Sequence, residues 1–145
     1  MNQTMKTFGY PESCVREYDH WAVLLRPKQV TLGALILVCK DEARAFGDIT
    51  PAAFGELATV VSDIERALKQ GFEYDKINYL MLMMVDPDVH FHVIPRYAET
   101  PTFAQTSFPD AGWPGPPALG SPTETTTDTR RRIAESIVSG FDSRA

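Results

Sequence analysis

The sequence predicts an α+β fold in which short apolar strands pack against one long amphipathic helix. Three observations carry that expectation. Trp21–Leu25 (WAVLL) and residues 34–39 (ALILVC) are rich in leucine and β-branched residues and too short for helices. A segment opening at Thr50 repeats apolar residues at spacings of three and four. Residues 77–85 and 89–94, separated by a turn, read as two paired strands.

In chain order, Arg26-Pro27 ends the first strand and a turn around Gly33 leads into the second. Thr50 is expected to cap the helix, and Pro51 suits its first position, where the missing N–H is not needed. Phe54, Leu57, Val61, Ile64 and Leu68 form the expected buried stripe, and Gly71 is the natural stop. Residues 77–85 (INYLMLMMV) are apolar almost throughout, the pattern of a central strand covered on both faces. Met81, Met83 and Met84 read as adaptable core filler. The turn Asp86-Pro87-Asp88 leads into 89–94, antiparallel to the strand before it, and Pro95 ends regular pairing or marks an edge. Seven of the eleven prolines then fall between Pro95 and Pro122, including Trp113-Pro114-Gly115-Pro116-Pro117, so this stretch is an irregular arm. A short helix from about Asp128 closes the chain, with Ile133, Ile137 and Phe141 on one face and Arg130, Arg131 and Arg132 in a solvated turn. There is no repeat: residues 1–145 read as one domain, with its core at about 21–97 and the arm and helix at 98–145.

Composition narrows the function. A hydrophobic share of 43% against 23% charged residues excludes a disordered chain. The net charge of −5 argues against coating a nucleic-acid polymer or an anionic membrane. Residues 1–10 lack the apolar core of a signal peptide, and no apolar run approaches the roughly 20 residues a bilayer requires. A cytoplasmic location is therefore expected, with Cys14 and Cys39 as free thiols. Two cysteines build neither a zinc ribbon nor a disulfide framework.

Chemistry concentrates on one strand. Of three histidines, His20 precedes a strand and reads as a surface or edge residue, whereas His90 and His92 are two residues apart. Strand side chains alternate, so Asp88, His90 and His92 share one face and Val89, Phe91 and Val93 the other, core-facing side. Neighbours on one face are roughly 6 to 7 Å apart, close enough for two imidazoles to address one small anion. Two chemistries fit. A neutral imidazole held on one nitrogen by a backbone carbonyl presents the other as a nucleophile toward phosphorus. Alternatively, one carboxylate and two imidazoles form a facial set for a divalent metal. Spacing alone leaves both open.

The segment His90-Phe91-His92-Val93-Ile94-Pro95-Arg96 resembles the core of the histidine triad family, whose signature alternates three histidines with apolar residues and often ends in Pro-Arg. Upstream, Arg26-Pro27-Lys28-Gln29-Val30-Thr31-Leu32-Gly33, the following strand and the long helix keep the order of the diadenosine-polyphosphate hydrolase-like branch. The likeness spans about half the chain, residues 21–97, and the proline-rich arm resembles that of a bacterial subgroup. It implies an antiparallel sheet of about five strands flanked by helices, a homodimer, and a nucleotide or dinucleoside polyphosphate substrate cleaved at the α-phosphate without a metal or other cofactor. His90 matches the nucleophile that forms a nucleotidyl-histidine intermediate, and His92 matches the histidine beside the phosphate oxygens. Asn78 corresponds to an asparagine near ribose and phosphates, while Arg96 and Lys28 are the candidate substrate-binding cations.

The sequence departs from that pattern at four places. Asp88 replaces the first histidine, Ala34 stands where a further histidine is common, and Met84 and Val85 replace a glutamine and a hydroxyl residue that contact phosphate. Asp88 brings negative charge toward an anionic substrate; with its pKa raised, it would instead serve as a neutral acid for the leaving group. Trp113 and Phe103 would cover a base or pack in a dimer interface. A metal enzyme using Asp88, His90 and His92, and a nucleotide-binding module with weakened catalysis, remain the alternatives.

Overall fold

Every residue of the first two predicted strands is buried, because both faces of the sheet they form are covered. The computed structural model describes residues 1–143. A short helix α1 (Gln3–Thr7) precedes strands β1 (Cys14–Glu17), β2 (Trp21–Leu25) and β3 (Leu35–Cys39). Helix α2 (Pro51–Phe72) leads to β4 (Lys76–Leu80) and β5 (His90–Arg96). A small hairpin, β6 (Thr102–Phe103) with β7 (Thr106–Ser107), lies in the proline-rich arm, and α3 (Thr127–Asp142) follows it. The main sheet has five strands in the order β1-β2-β3-β5-β4, antiparallel throughout. This is the α+β architecture expected.

Alternation sorts the side chains into two cores. Val23, Leu25, Leu35, Leu37 and Val93 join α2 and α3 in the larger one. Ala22, Leu24, Ile36 and Val38 lie on the opposite face, under Met5 and Phe8 of the N-terminal segment. Strands covered on both faces lose the polar-apolar alternation of a half-exposed sheet, which is why these runs look uniformly apolar.

Helix α2 begins as expected: Thr50 Oγ1 accepts from the Ala53 N–H at 3.1 Å and Pro51 opens the first turn. Its buried face is Ala53, Val60, Ile64, Ala67, Leu68 and Phe72, so the stripe expected through Phe54 and Val61 is displaced by one residue in its first half. Trp21 accounts for this, because its indole Nε1 donates to the Ala53 carbonyl at 2.8 Å and brings small Ala53 inward. Phe54 is left 42% exposed, beside Phe46. The helix also runs through Gly71 and stops at Glu73, which takes the left-handed conformation at φ 53°. Gly71 instead faces α3, where an added Cβ would lie 3.3 Å from Ser136 Oγ.

The strand expected over 77–85 is shorter and lies at the sheet edge. β4 stops at Leu80, opposite His92, and residues 81–89 form a loop instead of a tight turn. Beyond the strand, the Val89 carbonyl accepts from the Cys39 N–H and its N–H donates to the Ala43 carbonyl. Met83 turns through φ 41°, while Met84 and Val85 stand 89% and 88% exposed. Met84 is therefore not core filler, although Met81 and Met83 do pack against the core. Pro95 lies inside β5; pairing with β3 ends at Val93, so only β4 flanks the proline.

In the arm, Phe108 is fully buried in the larger core and the Thr123 N–H donates to the Gln29 carbonyl. Thr126 caps α3, which buries Ile133, Ile137 and Phe141 against α2. Each such side chain contributes roughly 1.5–3 kcal/mol. Arg131 and Arg132 are exposed and paired with Asp128, but Arg130 folds back, half-buried, onto the Thr125 carbonyl. Among the described residues no helix is long and apolar enough to cross a membrane.

Candidate functional site

β5 sends Phe91 and Val93 toward the larger core and His90 and His92 to the other face. The imidazole centroids are 5.2 Å apart, with ring planes at 68°. His90 Nδ1 lies 2.7 Å from the Asp88 carbonyl oxygen. A carbonyl only accepts, so Nδ1 carries a proton, and in the neutral ring the lone pair is then on Nε2. His92 Nδ1 is buried with no hydrogen-bond partner. Burial, then the neighbouring His90 and Arg26, push the His92 pKa down to about 4, leaving this ring neutral near pH 7.

The N-terminal segment closes over the pair. The Phe8 ring centroid is 6.1 Å from each imidazole. Asn2 caps α1 and donates through Nδ2 to the Cys39 carbonyl at 2.8 Å. Asp88, where the first histidine was expected, faces α1: its Oδ2 accepts from the Thr4 N–H at 3.0 Å. The Asp88 N–H in turn donates to Thr4 Oγ1 at 3.2 Å. Under this cover His90 is 1% exposed and His92 7%. Asp88 is thus not gathered with the two histidines into a ligand set, and no metal-holding group of three or more His, Cys, Asp or Glu side chains occurs among the described residues.

The other residues singled out from the sequence divide sharply. Asn78 and Arg96 do lie on the histidine face but hold each other, with Arg96 Nη1 donating to Asn78 Oδ1 at 2.8 Å. Arg96 also forms a two-pronged pair with Asp110, at 2.7 and 3.0 Å, and donates to the Gly115 carbonyl. These bonds fasten the proline-rich arm to the sheet. Lys28 is exposed, and its carbonyl accepts from Arg26 Nη1. Ala34 packs with Val30 and Ile94. Phe103 stacks edge-on against Phe72, on the α2 side of the sheet, and Trp113 is half-buried in the arm. His20 pairs with Asp41 at 3.0 Å, half-exposed at the start of β2. A groove of about 870 Å³ between β1 and α3 touches neither His90 nor His92, whereas one of about 480 Å³ opens beside Asp88 and Asn2.

Sequence reasoning overlooked Thr4, Phe8 and Arg26. The cap Asn2 and the i,i+3 apolar pair Met5 and Phe8 were the available signal for α1. Nothing local to Arg26 announces where its side chain goes.

With that geometry in place, the family model for the HIT domain matches residues 9–99, well over half of the chain. Similar solved structures include a histidine triad protein from Sinorhizobium meliloti 1021, at a TM-score of 0.76 and 20% identity over 97% of this chain and 95% of that one. A histidine triad protein from Bradyrhizobium japonicum is similar at 0.75 and 20% identity, over 97% and 96%. A hypothetical histidine triad nucleotide-binding protein from Sulfolobus tokodaii strain 7 is similar at 0.68 and 19% identity, over 90% and 83%. No curated protein matches significantly.

Proposed function

The chain belongs to the HIT domain family, and from that premise we propose that it is a nucleotide hydrolase or nucleotidyl transferase acting at the α-phosphate through His90. The single observation that supports this best is the fixed tautomer of His90. Its Nδ1–H donates to the Asp88 carbonyl, so Nε2 is the nitrogen available to attack phosphorus. In this reading Nε2 bonds to phosphorus as the phosphorus–leaving-group bond breaks. Water then cleaves the nucleotidyl-histidine, returning the imidazole and a nucleotide. Neutral His92 stands beside the phosphoryl oxygens as a hydrogen-bonding partner. In its protonated form, the Asp88 carboxyl would supply the leaving group with a proton once released from the Thr4 N–H. Asn78 and Arg96 serve by holding the arm against the histidine face, and exposed Lys28 adds charge near the approach. A homodimer in a cytoplasmic setting, the usual context implied by the resemblance, completes the reading.

The test is incubation with a nucleoside phosphoramidate or dinucleoside polyphosphate, followed by intact-mass detection of a nucleotidyl adduct. An adduct lost in His90→Ala is the expected result. Neither adduct nor turnover, with no protection from thermal unfolding by nucleotide, would sink the proposal. Asp88, Ala34, Met84 and Val85, where the resemblance calls for phosphate-binding side chains, favour one second reading, a nucleotide-binding module with weakened catalysis; it predicts protection by nucleotide without any adduct.

A further inference from the structure

Arg26 follows β2 on a tightly held backbone. Its N–H donates to the Ala34 carbonyl at 3.0 Å, and its own carbonyl accepts from Gln29 Nε2 at 2.7 Å. Gln29 is fully buried, also donates to Ala34 and accepts from the Gly33 N–H. Gly33 is required there, since φ is +86° and an added Cβ would approach Phe72 to 2.9 Å. The loop carrying Arg26 is therefore rigid.

Its side chain lies on the histidine face. Leu24 pairs with Ile36 and Ile36 with His92, one row across three strands, and Arg26 is the next residue of that face along the chain. The charge of Arg26 is felt at His92, where it adds to the effect of burial.

Two arginines occupy this face in opposite circumstances. Arg96 is neutralised by Asp110. Arg26 is half-buried, donates through Nη1 only to the Lys28 carbonyl, and has no carboxylate partner among the described residues. Its Nε is buried without a hydrogen-bond partner, as is Nδ1 of His92. A partly desolvated guanidinium with an orphaned donor is costly unless something anionic completes it. The chain carries a net charge of −5, yet supplies no carboxylate here.

We propose that Arg26 binds the non-bridging oxygens of the phosphoryl group presented to His90. The inference rests on the nucleotide reading above and names the cation that the sequence pattern assigned to Arg96 and Lys28. Arg26 compensates for phosphate-binding groups missing at Ala34, Met84 and Val85, and a guanidinium fork suits the tetrahedral oxygens of a phosphate.

The experiment compares the wild type with Arg26→Gln and Arg26→Lys, titrating AMP, adenosine and pyrophosphate by calorimetry and following adduct formation. AMP binding should weaken roughly 10- to 100-fold in Arg26→Gln, as for loss of a charged hydrogen bond, and recover partly in Arg26→Lys. Binding of adenosine, which lacks the anion, should stay the same, and the AMP affinity of Arg26→Gln should lose part of its salt dependence. Unchanged AMP binding in a folded Arg26→Gln overturns the assignment and leaves the nucleotide reading intact. Arg26-dependent binding of pyrophosphate, with no AMP binding and no adduct, keeps the anion site and overturns the nucleotide reading. Wild type that binds none of the three overturns both.

Discussion

Asp88 and Thr4, 84 positions apart, hold each other through a reciprocal pair of hydrogen bonds, each using the backbone N–H of one and a side-chain oxygen of the other. The residue that replaces the first histidine thereby fastens α1 across the other two. A pair buried this deeply is a latch as much as a cap.

Removing the latch should make His90 more accessible. In Asp88→Ala the Thr4 N–H loses its acceptor, at roughly 1–3 kcal/mol of stability, and α1 with Phe8 lifts more often. Carbethoxylation of His90, followed by mass spectrometry, should accelerate severalfold while denaturant unfolding shows the modest loss. Equal reactivity in both proteins would mean that α1 does not control access.

His92 makes stability depend on pH in a defined window. Its folded pKa of about 4 lies below its ordinary value of 6.5. Between those values the unfolded chain takes up a proton that the folded ring refuses, so stability rises with pH across the window and falls on acidification. Full separation of the two values corresponds to roughly 3 kcal/mol. Unfolding free energies measured from pH 7 to pH 4 should show this slope, and His92→Gln should flatten it.

The Arg96–Asp110 pair should prove structural. Both side chains are nearly inaccessible, at 5% and 1%. Asp110→Asn leaves a buried guanidinium without its counter-charge, an expected loss of about 3–5 kcal/mol. Limited proteolysis should then cut within the arm at 98–126, which Asp110 and Gly115 otherwise tie to the sheet. An arm that stays resistant would show that other contacts suffice.

Two glycines should respond in opposite directions. A Cβ at Gly140 would meet the Ala67 carbonyl oxygen at 2.8 Å and its Cα at 2.9 Å, so Gly140→Ala should push α3 from α2 and lose about 1–3 kcal/mol. Gly55, exposed in α2, has nothing within 4 Å. There alanine should add about 0.5–1 kcal/mol by helix propensity. Chemical denaturation of the two variants checks both signs.

Much of the scaffold was legible because its signals are local. The Thr50-Pro51 cap, the uniformly apolar β2 and β3, and the period-two separation of His90 and His92 from Phe91 each depend on a few adjacent residues. The failures share one cause. Residues 77–85 look alike to the last methionine, yet pairing with β5 stops at Leu80, which no local pattern marks. Gly71 has the chemistry of a helix stop, yet its neighbour across space, Ser136, decides its use.

By itself, then, the sequence determined the α+β class, the pairing of one long helix with a sheet, and the strand that carries the two imidazoles, since periodicity and caps are properties of short segments. Tertiary structure alone decided the fate of the charges around them. Arg96 was neutralised by Asp110, Asp88 was turned to Thr4, and Arg26 was left without a carboxylate. The reason is physical: a charged group is satisfied by whatever the fold brings within about 3 Å, and partners separated by tens of residues leave no pattern in the chain.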